Sequence, residues 1–598
     1  MSNYGNQPFR LVIAIDFGTS RSGYAYTWKH DSKVIGKLTW PGQKHIKYPK
    51  TSTHLLYSPD GKLEKWGAEA MNELAKHREN DEVYNYFFDN FKMELYNPTH
   101  ITSDGQPYIL RKGKEFLLVN LISDYLRELK KLALEDLKQA TDKDWENSRE
   151  IRWVLTVPAI WTDASKQLMR KAARKAGLIG VGLLFNPFTF RTGGTEDECL
   201  FLALEPEAAA IYCQERDQEV SQALSKSGTR FMIVDCGGGT IDITVHEVIS
   251  RGGFKEVVMG TGGSHGSTYV DKSFMEYLGR PNVLTAEALN DFQKQYPKSF
   301  LKMKKEWEGT KCSIGIEDEA IYFSIPSELH ALLKRIYPHV LKNLSKAQEG
   351  DEYTIWLTNK VIKGEIFGPT LDKVALKVED IFKELDYQKL HIMFLVGGFS
   401  NSPLLLERIR EQFAKRVNKI IRPEIPSAAI VEGAASFGRN PFVIRARRTR
   451  LTYGIDSAMP FESNFDLESK KYWHKYREKY YCKARFSIFV TAGESIGTDE
   501  EYTRIYNPSE PNQTSMDITF YSTPKKKVRY IDESHVTELR KVTIDMPDTI
   551  GGLDRKVKVT MYFGRTEVEC VAKDLTSGKE VKTQLDFTYT YFSEQLGD

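Results

Sequence analysis

The chain has 598 residues, with 84 Lys plus Arg against 81 Asp plus Glu, 41% hydrophobic and 28% charged residues. That length exceeds one ordinary core, so two or more domains are expected, and the composition excludes a disordered chain. The net charge of +3 gives no overall case for a nucleic-acid or membrane partner.

No apolar run approaches the roughly 18 residues of a membrane helix. The opening Met1-Ser-Asn-Tyr-Gly-Asn-Gln-Pro8 lacks the charged-then-apolar pattern of a signal segment. Cys199, Cys213, Cys236, Cys312, Cys482 and Cys570 are scattered and none forms CxxC. This usage argues against a disulfide framework or structural zinc site, and for a reducing cytoplasm or nucleus.

In chain order, residues 10–16 form a nearly continuous apolar run ending in Asp16, as expected of a buried strand. The turn Phe17-Gly18-Thr19-Ser20 breaks it, and a second strand follows. Apolar spacing over 116–140 predicts a helix, 151–157 a strand ending at Pro158, and 164–177 a helix closing at Gly177. The opening pattern then recurs. Residues 231–235 form an apolar strand ending in Asp235, Cys236-Gly237-Gly238-Gly239-Thr240 a turn, and 241–245 a returning strand. A third apolar strand, 391–396, meets Gly397-Gly398 and then a helix over 404–413. The run 445–450 reads as a basic surface connector. Beyond about 451 the chain is strand-rich, with runs at 516–522, 541–546, 556–563, 566–572 and 581–587, as in an antiparallel sandwich.

Gly-rich turns point N–H groups at phosphate oxygens, and a strand-terminal carboxylate beside each turn suits Mg²⁺ held through water. The Walker loop is absent. One Asp-x-Gly-Thr means little. Two of them, followed by Gly-Gly after a buried strand, form an ordered set that resembles the actin-like ATPase superfamily. Within it the set is similar to the seventy-kilodalton heat-shock chaperones. The segments Ile13-Ala-Ile-Asp-Phe-Gly-Thr-Ser20, Leu155-Thr-Val-Pro-Ala159 and Leu204-Glu-Pro-Glu-Ala-Ala-Ala-Ile211 carry the resemblance. So do Asp235-Cys-Gly-Gly-Gly-Thr-Ile-Asp242 and Leu395-Val-Gly-Gly-Phe-Ser-Asn-Ser-Pro403. Pro403-Leu-Leu405, Glu432-Gly-Ala434, Arg447-Arg448 and Leu451-Thr-Tyr-Gly454 narrow it to the divergent heat shock 70 kDa protein 12 branch.

The resemblance implies an α/β fold: a two-lobed actin-like ATPase, with the ribonuclease H-like motif duplicated, followed by a smaller β-rich sandwich-like domain. The ATPase part would cover 1–444, with lobe I at about 10–210 and 415–444 and lobe II at about 228–414. Residues 445–598 would form a lidless substrate-binding domain. It implies ATP or ADP in the interlobe cleft, slow hydrolysis to ADP and phosphate, and nucleotide control of what the C-terminal domain binds, with client proteins or co-chaperones as partners. Asp16 and Asp235 would hold Mg²⁺ through water. Glu205 and Asp242 would orient or deprotonate the attacking water, and Lys92 would neutralise γ-phosphate charge. Gly18, Thr19, Ser20, Arg21, Gly237, Gly238, Gly239, Thr240, Gly266 and Ser267 would line the phosphates. Glu308, Lys311, Gly397, Gly398, Phe399, Asn401 and Ser427 would surround the adenosine. Conventional members carry Arg at Cys312, Ser at Phe399, Arg at Asn401 and Asp at Ser427, so triphosphate recognition is expected to be firmer than adenine selectivity.

Two other classes stay open: a non-enzymatic nucleotide-binding scaffold, and a small-molecule kinase on the same fold. Gly262-Gly-Ser-His-Gly266 also fits the G-x-S-x-G elbow of a serine hydrolase with Ser264 as nucleophile, against a plain Gly turn beside phosphate. The segment 470–485 interleaves basic and aromatic residues, a pattern for anionic lipid or single-stranded nucleic acid, against a solvated, partly packed face. Cys236 reads as a redox-sensitive thiol or, more plainly, as a small buried apolar residue.

Overall fold

The computed structural model describes residues 9–43, 46–78, 81–146, 150–179 and 199–584. Two mixed sheets share one internal plan. The first contains β1 (Leu11–Asp16), β2 (Arg21–Trp28), β3 (Val34–Gly36), β4 (Ile151–Val157) and β5 (Leu200–Leu204), in the order β5-β4-β1-β2-β3. Strands β1 and β2 form an antiparallel hairpin, while β4 and β5 join β1's other edge in parallel. The second contains β6 (Arg230–Cys236), β7 (Ile241–Val248), β8 (Phe254–Gly263), β9 (Leu390–Val396) and β10 (Val417–Ile421), in the order β10-β9-β6-β7-β8. Here too the hairpin is antiparallel and the later strands parallel. The recurrence expected from the two Asp-Gly turns is thus a recurrence of whole sheets.

Every residue of β1 is buried, which accounts for its unbroken apolar run. A wholly buried strand needs apolar side chains on both faces, each contributing about 1.5–3 kcal/mol. Between the sheets lie helix α1 (Glu205–Arg216) and helix α2 (Ala429–Arg439), sharing a core with Val12, Ala14, Phe231, Ile233 and Phe394. Alanines 208–210 let these helices sit close to the sheets. The expected helices over 116–140 and 164–177 are present as Leu118–Thr141 and Asp163–Lys175.

The basic run 445–450 is not a surface connector. Strand β11 (Ile444–Arg448) joins the second sheet beside β8 and pairs on its other side with β12 (Ser495–Gly497). The Arg447 side chain is only 11% exposed because Glu207 accepts from its Nε and Nη2 at 2.7 Å each, and the Gly564 carbonyl from Nη1 at 2.7 Å. Charge density mimics solvent exposure in sequence. Here bidentate pairing and a backbone acceptor make burial tolerable.

Beyond it, a five-stranded antiparallel sheet runs in the order Lys471–His474, Lys479–Val490, Thr452–Pro460, Ser515–Thr523, Thr537–Asp545. A four-stranded one runs Tyr502–Tyr506, Val557–Tyr562, Glu569–Asp574, Glu580–Gln584. Residues of both, including Ile455, Phe520, Val559 and Cys570, meet in one apolar core. The part of the expected 581–587 strand from 585 onward lies outside the described residues. Among the described residues, no helix is long and apolar enough to cross a membrane.

Candidate functional site

The two Asp-tipped loops face each other. Asp16 closes β1 and Asp235 lies one residue from the end of β6. A Cβ on Gly238 would stand 2.3 Å from the Ser20 hydroxyl oxygen, so the loops approach closer than any side chain there permits. The segment after β8 closes over the second loop: Gly266 N–H donates to the Gly239 carbonyl at 3.1 Å, Ser267 to Gly237 at 3.1 Å and Thr268 to Gly238 at 2.9 Å. These bonds consume the loop's carbonyls. Among the described residues, the Gly238 and Gly239 N–H groups have no hydrogen-bond acceptor. Unpaired N–H groups in a tight turn form a receptor for an anion.

The loops open on a cavity of about 680 Å³, within the range that encloses a small-molecule ligand. Asp16, Gly18, Thr19, Ser20, Arg21, Lys92, Glu205, Asp235, Gly237, Gly238, Gly239, Thr240 and Ser267 line it. So do Glu308, Lys311, Gly397, Gly398, Phe399, Asn401 and Ser427. Two expected residues do not. Gly266 lies beneath the loop, as its bond to Gly239 requires. Asp242 sits behind the wall, where its Oδ1 accepts the Ile160 N–H at 2.9 Å.

The floor is rich in acids. Lys92 Nζ donates to Glu205 Oε1 at 3.0 Å, and both are buried. Glu205 is the first residue of α1, where the helix dipole favours a negative charge. Even so, burial first, and then the charges of Asp16 and Asp242, push its carboxyl up to about 7 despite Lys92. Burial also raises Asp242 to about 6, and burial with Glu205 and Asp242 holds Asp235 well above the usual carboxylate range. Asp235 Oδ1 is buried with no partner among the described residues. Asp16 differs: Thr156 Oγ1 donates to its Oδ1 at 3.0 Å, and Lys50 Nζ lies 2.5 Å from its Oδ2.

At the other end, Arg21 Nη2 reaches across to Glu308 Oε1 at 2.8 Å and its guanidinium lies 5.1 Å from the Tyr48 ring centroid. Lys311 Nζ pairs with Asp271 Oδ1 at 2.6 Å. Cys312 is exposed and lines the mouth. Phe399 touches the cavity but is mostly packed into the core of the second sheet.

Sequence reasoning missed Lys50, Tyr48 and His54, all of which line the cavity. None belongs to a recognisable motif. Burial drives the His54 imidazole down to about 4, so it is neutral near pH 7. A Lys just before a strand and beside a Gly-flanked hairpin was the one available signal for Lys50. Of the decoys, Ser264 does follow a strand and precede a helix, but among the described residues no histidine hydrogen-bonds to it. Cys236 is fully buried and burial pushes its thiol well up, as for an inert core residue. The segment 470–485 forms a hairpin that exposes Trp473 and Tyr480.

No protein-family model matches the chain. It is 28% identical to mouse (Mus musculus) heat shock 70 kDa protein 12A, the alignment covering 97% of this chain and 92% of the relative. The human (Homo sapiens) 12A protein matches at 28% with the same coverage, and human heat shock 70 kDa protein 12B at 27% over 97% of this chain and 91% of its own length. The resemblance to the heat shock 70 kDa protein 12 branch, read from the motifs, is borne out by these relatives along nearly the whole chain.

Proposed function

We propose that this chain is a nucleotide-binding protein of the heat-shock 70 kind that binds ATP and ADP, hydrolyses ATP slowly and acts in a chaperone-like way. In this reading residues 1–444 form the two-lobed actin-like unit and 445–598 a β-rich binding domain whose state follows the nucleotide. One observation carries the reading: two acid-tipped glycine loops and the Gly397-Gly398 strand end open on a single cavity that also holds the buried Lys92–Glu205 pair. The unpaired Gly238 and Gly239 N–H groups would receive phosphate oxygens, with Thr19, Ser20, Thr240 and Ser267 around them. Glu205 would take the proton of the attacking water, and Lys92 would hold Glu205 in place and face the developing charge. Asp242 would act from behind the wall, through Glu205's charge. Gly398, Asn401, Ser427, Glu308 and Lys311 would surround the nucleoside.

The expected Mg²⁺ fits the donor set poorly. Asp16 Oδ1 accepts from Thr156, and the Lys50 ammonium stands 2.5 Å from Oδ2 as an ion pair without a hydrogen bond, so a cation of the chain already faces the oxygen that a hydrated ion would need. No step is therefore derived through a metal.

Titration calorimetry with ATP tests the reading. Wild type is expected to bind, and Gly238→Asp, whose side chain would collide with Ser20 and repel phosphate, to bind at least about tenfold more weakly. Absence of wild-type binding in any buffer overturns the reading. The non-enzymatic scaffold is favoured by one observation, the commitment of Phe399 to the core instead of to an open stacking face. Tight binding with no phosphate release would decide for it.

A further inference from the structure

Lys50 is a cavity-lining cation that neither the motifs nor the relatives' names account for, and its ammonium stands beside the Asp-tipped loops. It precedes the short strand Thr51–Ser52, which pairs with β2 through Arg21↔Ser52 and Ser22↔Thr51. The segment is then stitched to the first loop. Thr53 N–H donates to the Ser20 carbonyl at 2.9 Å, Thr53 Oγ1 to the Gly18 carbonyl at 2.8 Å, and the Ser22 and Thr53 hydroxyls lie 2.7 Å apart. The stem of Lys50 passes over Gly23, the residue paired with Asp16 across the β1–β2 hairpin; a Cβ there would come within 3.2 Å of Lys50 Cγ. The bare glycine lets the ammonium arrive at Asp16 Oδ2, 2.5 Å away, with only 9% of the Lys50 side chain and 2% of the Asp16 side chain exposed.

Burial opposes a charge on Lys50. Even so, the Asp16 carboxylate, 2.5 Å away and likewise buried, supplies the opposite charge. A lysine is a compact point charge with three donors. The ammonium faces Asp16 Oδ2 as an ion pair, and its donors stay available to a phosphate in the cavity. The group that answers Asp16 is therefore already attached to the chain and held by at least three loop-to-loop hydrogen bonds.

We propose that Lys50 is the resident counter-cation of Asp16 at the mouth of the two Asp-tipped loops, standing where a divalent ion would sit, so that this cavity takes a nucleotide polyphosphate without a metal. The polyphosphate part rests on the nucleotide reading above; the counter-cation part does not. Two measurements separate them. In the nucleotide-free protein, titration with Mn²⁺ followed by electron paramagnetic resonance is expected to leave the aqua-ion signal intact for wild type. Lys50→Met, which removes that cation from Asp16, is expected to bind one equivalent and quench it. In calorimetry with ATP, wild-type affinity is expected to agree within about threefold between EDTA and excess Mg²⁺. Lys50→Met is expected to lose at least about tenfold in EDTA and to recover with Mg²⁺.

Stoichiometric Mn²⁺ binding by wild type that Asp16→Asn abolishes overturns the counter-cation. A wild-type affinity that collapses in EDTA overturns metal-free binding. If ATP binds under no condition, the nucleotide reading falls while the Mn²⁺ titration still decides the role of Lys50. Should Lys50→Met not fold, the two wild-type measurements suffice, and Lys50→Gln replaces it.

Discussion

Glu205→Gln is expected to lower ATP turnover by about 10²–10³-fold, within the range for a general base, while ATP affinity stays within about threefold. The substitution keeps the shape and an oxygen acceptor facing Lys92 Nζ, but it removes the base and also the counter-charge of a buried lysine, so affinity and urea midpoint are read beside the rate. Single-turnover phosphate release checks the rate and calorimetry the affinity. A pH signature accompanies it. Burial among other acids raises the Glu205 carboxyl to about 7, so in wild type it carries a proton below that value and cannot accept another. Turnover should therefore climb with pH through about 7, and the residual rate of Glu205→Gln should lack that limb. The stability effect has a definite sign. The folded state holds the Glu205 proton more tightly than the unfolded chain, whose value is 4.5. Its contribution is thus complete below the unfolded value and is lost as pH rises through about 7. Wild type should lose more in urea midpoint between about pH 5 and pH 8 than Glu205→Gln does. Equal turnover in both proteins would remove Glu205 from the chemistry.

Arg447→Ala is expected to destabilise by about 3–5 kcal/mol, the usual result of stranding a buried charge. The guanidinium holds both oxygens of Glu207, whose side chain is only 2% exposed, and the carbonyl of Gly564. Nearby, Arg170 Nε donates to Glu567 Oε2 at 2.6 Å, Thr566 Oγ1 to the Leu202 carbonyl at 2.7 Å, and Tyr453 hydroxyl to Asp163 Oδ2 at 2.7 Å. The turn containing Gly564 is thus fastened to the strands and helices that carry the candidate site. Glu207 stands in the same first helical turn as Glu205, so the loss should also slow turnover. A chain of this length need not unfold in one step, so hydrogen exchange is the better probe. Protection should fall in 205–216 and 564–574 together. A loss confined to 564–574 would show that the fastening is not shared.

The parts of the fold legible in the sequence were those whose signal is local. Unbroken apolar runs marked β1, β4, β6 and β9, and the glycines after Asp16 and Asp235 marked the turns. Reading them as a repeated pair anticipated the two matching sheets. What stayed hidden depended on distant partners. Arg447 looks solvated until Glu207, far upstream, is brought beside it. Asp242 was placed at the site by its motif, and hairpin register does put it opposite Asp235, yet the Ile160 amide draws its side chain away. Lys50 has no motif at all. Its position follows from strand pairing, from the Thr53 hydroxyl and from the missing side chain at Gly23.

The second sheet does not stop where the sequence changes texture near 444. Strand β11 pairs with the start of β8, Phe254↔Ile444 and Lys255↔Ala446, and β12 pairs in turn with β11. A fragment cut after 444 would remove the Lys255↔Ala446 pairing and the Arg448 N–H that Glu256 Oε2 accepts at 2.7 Å, baring the start of β8 as a template for edge-to-edge aggregation. Recombinant 1–444 is therefore expected to elute from gel filtration as aggregate, and the full chain, which keeps β11, β12 and both later sheets, to elute without it. Comparing the two elution profiles checks this, and an early boundary would make the candidate site look inactive for reasons unrelated to its chemistry.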